Sequence, residues 1–126
     1  MADAVTSQVL FDGTKKSIIK FTNVSDGTGE SAVVKADVSA LVDTPTKVKI
    51  GKIWFSTNGM AVQMLWDATA NVLAFMVGPD QTGCLDFSSF GGIVNNASTG
   101  VTGDLLFTTV GHSSGDSYSI ILELLK

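Results

Sequence analysis

The sequence predicts an all-β fold: a single antiparallel β-sandwich or jelly-roll of about eight strands, occupying residues 1–126 as one domain. Three observations predict it. The chain carries 14 Val, 7 Ile and 13 Thr, residues whose branched side chains fit a pleated sheet. It has only two Glu and no Arg beside its eight Lys, so the solvent faces of helices would have little to be built from. Its 13 Gly and 13 Ser cluster between apolar runs at near-regular spacing.

The elements follow in order. Val5–Phe11 ends at Asp12-Gly13-Thr14, a tight-turn sequence in which Gly accepts a positive φ. Ser17–Val24 comes next, then the Ser25-Asp26-Gly27-Thr28-Gly29 turn and Ala32–Val38. Ala40–Thr46, with Pro45, is a connection. Lys47–Ser56 is closed by Thr57-Asn58-Gly59, and Asn-Gly is a strong hairpin signal. Met60–Trp66 and Asn71–Val77 are linked by Asp67-Ala68-Thr69-Ala70. Gly78–Gly83 opens a looser region with a short strand at Leu85–Phe87 and an apolar irregular loop at Phe90–Asn95. Asn96–Gly103 is small and polar; Asp104–Val110 and Ser117–Leu125 are then joined by a Gly111–Asp116 turn. No internal repeat of fixed period is present.

Side-chain alternation adds detail. Tyr118, Ile120, Leu122 and Leu124 form a uniformly apolar face, while the opposite parity mixes Ser119 and Glu123 with Ile121 and Leu125. That second apolar set implies cover from a neighbouring strand, loop or subunit. In Lys47–Phe55 the parity slips at Gly51, which predicts a β-bulge there.

Composition excludes several function classes. A net charge of −4 without any guanidinium argues against nucleic acid as the main partner, because phosphate binding needs clustered Lys and Arg. No stretch approaches the ~20 apolar residues of a membrane helix. Met1-Ala2-Asp3-Ala4 lacks the basic and apolar regions of a secretory signal, so synthesis in the cytoplasm is expected. The single Cys84 cannot form an internal disulfide.

Four strings invite a chemical reading. Gly111-His112-Ser113-Ser114-Gly115 matches a nucleophile elbow and follows an apolar strand. A serine nucleophile needs a separately placed histidine, and His112 is the only one; a Gly/Ser-rich hairpin turn is the better reading. Asp26-Gly27-Thr28-Gly29-Glu30 lacks both the second motif of an aspartic dyad and the alternating acids of a calcium loop, which leaves a two-glycine turn. His112 and Cys84 are too few for a structural zinc site. Trp54 and Trp66, taken as opposite positions of one hairpin, read as core or interface packing in preference to a sugar-stacking platform. No catalytic residue, cofactor or metal is expected.

Several stretches together resemble small virion proteins of tailed bacteriophages. They are Phe21-Thr22-Asn23-Val24-Ser25-Asp26-Gly27-Thr28-Gly29-Glu30-Ser31, Leu65-Trp66-Asp67-Ala68-Thr69, and Asp86-Phe87-Ser88-Ser89-Phe90-Gly91-Gly92. Thr102-Gly103-Asp104-Leu105-Leu106-Phe107-Thr108-Thr109 and the C-terminal stretch from Gly115 to Leu124 continue the pattern. The resemblance implies a capsid decoration or cement protein, bound in many copies to the head exterior. Its implied partners are the major capsid protein and sister copies, with a trimer favoured and a dimer as the rival. The candidate contacts are Phe90, Ile93 and Val94 in the loop, Ile121 and Leu125 on the second parity, and Val5 and Val9 in a possible N-terminal arm over residues 1–9. Core packing is the alternative for the loop and second-parity residues, and a frayed terminus is the alternative for the arm. A tail or head–tail junction protein and a carbohydrate-binding module are the competing functions.

Overall fold

A computed structural model of the chain describes residues 4–25, 33–38, 41, 48–97, 99–100, 102–111 and 113–125. Its strands are β1 (Ala4–Asp12), β2 (Lys16–Val24), β3 (Val33–Ala36), β4 (Lys49–Asn58), β5 (Ala61–Trp66), β6 (Val72–Val77), β7 (Thr82–Asp86), β8 (Leu105–Val110) and β9 (Ser117–Leu125). One 3-10 turn, Ser88–Phe90, follows β7. The strands form a five-stranded sheet, β1-β2-β9-β4-β7, and a four-stranded sheet, β3-β8-β5-β6. Every described pairing is antiparallel.

The order has a simple origin. β2 pairs with β9, β3 with β8, β4 with β7, and β5 with β6. The chain is therefore one long antiparallel ribbon with its tip between β5 and β6, wound so that successive ribbon segments alternate between two sheets. That is a jelly-roll. Whenever one arm of the ribbon crosses between sheets, its partner arm crosses beside it.

Hydrogen bonds tie these paired crossings together. Where β4 passes to β5 and β6 to β7, the Thr57 N–H donates to the Gln81 carbonyl at 2.8 Å and the Thr57 hydroxyl to the Gly78 carbonyl at 2.7 Å. The Gly59 N–H donates to Asp80 Oδ1 at 2.9 Å. Where β2 leaves and β9 arrives, the Ser25 N–H donates to the Asp116 carbonyl at 2.7 Å, and the Gly115 N–H to the Ser25 carbonyl at 2.8 Å.

Two expected hairpins are thereby corrected. Asn58-Gly59 does not join paired strands, because β4 and β5 lie in different sheets. Gly59, at φ +82°, instead turns the chain across the sandwich, in a space where a β-carbon would strike the Asp116 carboxylate. The Gly111–Asp116 turn is also a crossing, from β8 to β9. Gly78–Gly83 is no loose region: Asp80, in the left-handed region at φ 53°, closes a tight corner into β7. The hairpins expected from Asp12-Gly13-Thr14 and from 67–70 are present as β1–β2 and β5–β6.

The β-bulge expected at Gly51 is present, since the β4–β9 register shifts between Ile50 and Lys52. It turns Ile50 and Ile53 inward together, both fully buried. Residues 4–9 do not form a detached arm. They belong to β1, paired with β2 along the edge of the five-stranded sheet. Most of Ala40–Thr46 and the Asp26–Glu30 string lie outside the described residues.

The inward faces close on an aromatic centre. Phe21 of β2 meets Phe107 of β8 edge-on at 5.2 Å between centroids, and Phe107 meets Tyr118 of β9 at 5.8 Å. Edge-to-face pairs of this kind add ~0.5–1.5 kcal/mol beyond burial. Around them pack Ile53, Ile120 and Leu122 from one sheet and Met64, Trp66 and Leu105 from the other, all fully buried.

Two stability changes are expected, both measurable by urea denaturation. Phe107→Ala removes the ring shared by both aromatic pairs and lowers stability by ~3–5 kcal/mol. Gly59→Ala forces a β-carbon into the crossing at positive φ and costs ~1–3 kcal/mol. A neutral Gly59→Ala result would contradict the clasped crossing.

Candidate interaction surface

The sandwich has two outward faces, and their chemistry differs. On the four-stranded sheet, register places Val34, Leu106, Leu65 and Leu73 in one continuous cross-strand row. Val34 and Leu73 are 48% and 49% exposed, while Leu106 between them is 3% exposed. The next row holds Thr108, Gln63 and Met76, and the last Val110 and Ala61. Among the described residues, no charged side chain occupies a paired outward position on this face; Lys35 of β3 is half-buried and falls within the β3–β8 register shift, at the edge of the sheet.

The outward face of the five-stranded sheet is mixed. One row runs Phe11, Ile18, Glu123, Lys52, Asp86, with Lys52 Nζ 3.9 Å from Asp86 Oδ2. The next runs Gln8, Lys20, Ile121, Trp54, Cys84, and a third holds Thr22, Ser119, Ser56 and Thr82. The bulge at Gly51 sends both Lys49 and Lys52 to this side. Charge here guards a broad sheet against indiscriminate stacking.

The two tryptophans part company across this architecture. Trp66 is fully buried between the sheets, as core packing predicts. Trp54 lies on the outward face of β4, half-buried, with the Lys52 ammonium 5.9 Å from its ring centroid. Their expected placement at opposite positions of one hairpin is corrected: β4 and β5 are not paired.

The residues expected to make contacts are spread over three regions. Val9 is exposed on the edge strand β1, beside Leu10 and Phe11 at a β1–β2 register shift; Val5 is in the same strand, and its side chain lies outside the description. Phe90, at 68% exposed, and Val94 project from the loop after β7. Phe90 continues an aromatic row through Phe87 to Phe75 on the core. Ile93 is held by reciprocal hydrogen bonds to Ile50 and packs on the core. Ile121 and Leu125 are half-buried on the outward face of β9, where the Gly92 backbone comes close over Leu125. The structure brings no single patch out of these seven.

Sequence reasoning missed the row through Leu65, Leu73, Val34 and Leu106. A signal was present: Leu105-Leu106-Phe107 is apolar on both parities, and so are Val33-Val34 and Leu73 with Met76.

The strings with chemical overtones have structural partners. Ser113 is exposed, and its N–H donates to Asp116 Oδ2 at 2.8 Å within the crossing. His112 lies outside the described residues. Cys84 is exposed on edge strand β7. Among the described residues no group of three or more His, Cys, Asp or Glu could hold a metal ion, and no helix is long and apolar enough to cross a membrane.

One carboxyl is perturbed. Burial pushes the Asp104 pKa up, against the lowering effect of the Val38 N–H that donates to its Oδ1 at 3.0 Å, and the nearby Asp37 and Asp67 charges push it further up. It sits where the connection after β3 meets the start of β8.

No protein-family model and no curated protein matches this sequence. Among solved structures, the chain is similar to a cupin superfamily protein from Desulfitobacterium hafniense, with 12% identity, 100% of this chain and 82% of that chain covered, and a TM-score of 0.40.

The Asp104 geometry sets a pH dependence. A carboxyl whose pKa is raised on folding binds its proton more tightly in the folded state. Its contribution is therefore full at low pH and is lost as pH rises through the raised folded value. Asp104→Asn keeps the acceptor for Val38 and removes the charge, so it is expected to raise the melting temperature at neutral pH. The gain should shrink on acidification, as followed by thermal denaturation across the acidic range.

Proposed function

We propose that the chain is a non-enzymatic structural protein of a bacteriophage particle, a capsid decoration or cement protein on the head exterior. The aliphatic row on the outward face of the four-stranded sheet, whose paired positions carry no charge among the described residues, supports this reading. Exposed aliphatic side chains in one continuous row gain ~25 cal/mol for each Å² removed from water, and such a face fits burial against another protein. Each contact of this size is modest. Arrayed copies raise the effective concentration of the next contact, so a shell is reinforced without any chemistry.

In this reading the four-stranded sheet faces the major capsid protein. Sister copies, with a trimer favoured, meet along β1, where Val9, Leu10 and Phe11 are exposed beside the unpaired backbone of an edge strand. The resemblance of the sequence stretches to tailed-phage virion proteins supports the choice of particle, and the aliphatic row supports attachment through this face.

A paired substitution tests the reading. Val34→Asp with Leu73→Asp places two charges in the row at exposed positions, so the folded monomer should change by no more than ~1 kcal/mol. Co-sedimentation with heads is expected to be lost. Heads lacking the protein are expected to rupture at a lower temperature than complete ones. Equal heat resistance with and without it would overturn the cement role.

A further inference from the structure

We infer that the outward face of the five-stranded sheet holds a binding site for an acidic pyranoside, with Trp54 as the platform and Lys20 as the partner of the sugar carboxylate. The inference is independent of the face that attaches the protein to a particle.

A hollow of about 300 Å³ lies over this face, and Lys20, Ile121, Trp54, Ser56, Thr82 and Ser119 are among the residues that line it. Its floor and its sides have different chemistry. Register sets Lys20, Ile121 and Trp54 side by side on β2, β9 and β4, so an indole and an aliphatic side chain form an apolar floor. Ser119 and Ser56 stand one outward position further along β9 and β4, and Thr82 lies beside Ser56 on β7, all on one flank. The Ser56 and Thr82 hydroxyls lie 3.3 Å apart, in mutual hydrogen-bond contact. Each hydroxyl carries one donor and two acceptor sites, so the pair keeps capacity for a ligand.

The charges are also divided. Lys52, whose ammonium lies over the Trp54 ring at 5.9 Å from its centroid, is engaged with Asp86. Lys20 pairs with no acidic group among the described residues. A ligand that satisfies all three surfaces has an apolar face for the indole, hydroxyls along one edge and a single anionic group. A pyranose ring bearing a carboxylate has these features. Its axial C–H bonds carry slight positive charge and meet the negative face of the indole. Its carboxylate accepts charge-assisted hydrogen bonds from the ammonium, about twice as strong as neutral ones.

The test uses the full-length chain, with trigalacturonate as the acidic probe and galactotriose as the neutral one. Tryptophan emission reports on Trp54, because the buried Trp66 is out of reach of the ligand. The expected result is a saturable emission change with trigalacturonate, and a binding isotherm by titration calorimetry that Trp54→Ala abolishes. Lys20→Gln should weaken trigalacturonate about tenfold and leave galactotriose unaffected. Amide shifts in a heteronuclear spectrum should centre on Ser56, Thr82 and Ser119, which keeps the test decisive if Trp54→Ala fails to fold. Absence of saturable change with either sugar, equal affinity for both, or an unaltered Lys20→Gln variant would overturn the proposal.

Discussion

The structure depends on the clasp between neighbouring crossings. A ribbon that winds between two sheets must bring each arm across the sandwich edge, and a lone crossing strands its backbone amides between two ladders. Here each arm supplies partners for the other. Thr57 and Gly59 find theirs in Gly78, Asp80 and Gln81, and Ser25 finds its own in Gly115 and Asp116. An amide kept from water and left unsatisfied at such a turn costs ~1–3 kcal/mol, so a few of them would take a large share of a net stability of ~5–15 kcal/mol. With the crossings held, Phe21, Phe107 and Tyr118 come into register across the middle.

Closing the sandwich in this way fixes what lies outside. The inward parity of the central strands β2, β9, β4, β8 and β5 is consumed by the core, which leaves the two outward faces, the edge strands and the loops for function. Those faces divide the work. One interleaves lysines and carboxylates with Trp54, Ile121 and a row of hydroxyls. The other presents a row of aliphatic side chains, and its paired positions carry no charge among the described residues. The first tolerates water and invites a polar ligand, whereas the second is best satisfied against protein.

Much of this was legible in the sequence because it is local. Strand positions follow from runs of Val, Ile and Thr, and the Gly51 bulge follows from a parity slip within one strand. The sheet assignment is not local. Asn58-Gly59 carries the chemistry of a two-residue hairpin, yet the same positive φ serves a crossing, and only distant partners at Asp80 and Asp116 decide between them. Trp54 and Trp66 look alike in sequence, each among apolar neighbours; they differ because β4 turns the first outward and β5 turns the second inward. The apolar row on the four-stranded sheet was half legible. Leu106 between Leu105 and Phe107 announces a strand covered on both faces, but no string of residues says that Val34 and Leu73 complete the row from opposite edges.

The central claim is that the aliphatic row of the four-stranded sheet is covered in the working assembly. Hydroxyl-radical footprinting, read by mass spectrometry on the free chain and on intact particles, tests it most directly. The account predicts that Val34, Leu73 and Met76 are oxidised in the free chain and protected on the particle, while Trp54 is oxidised in both. Equal oxidation of Leu73 and Met76 in the two states would contradict it.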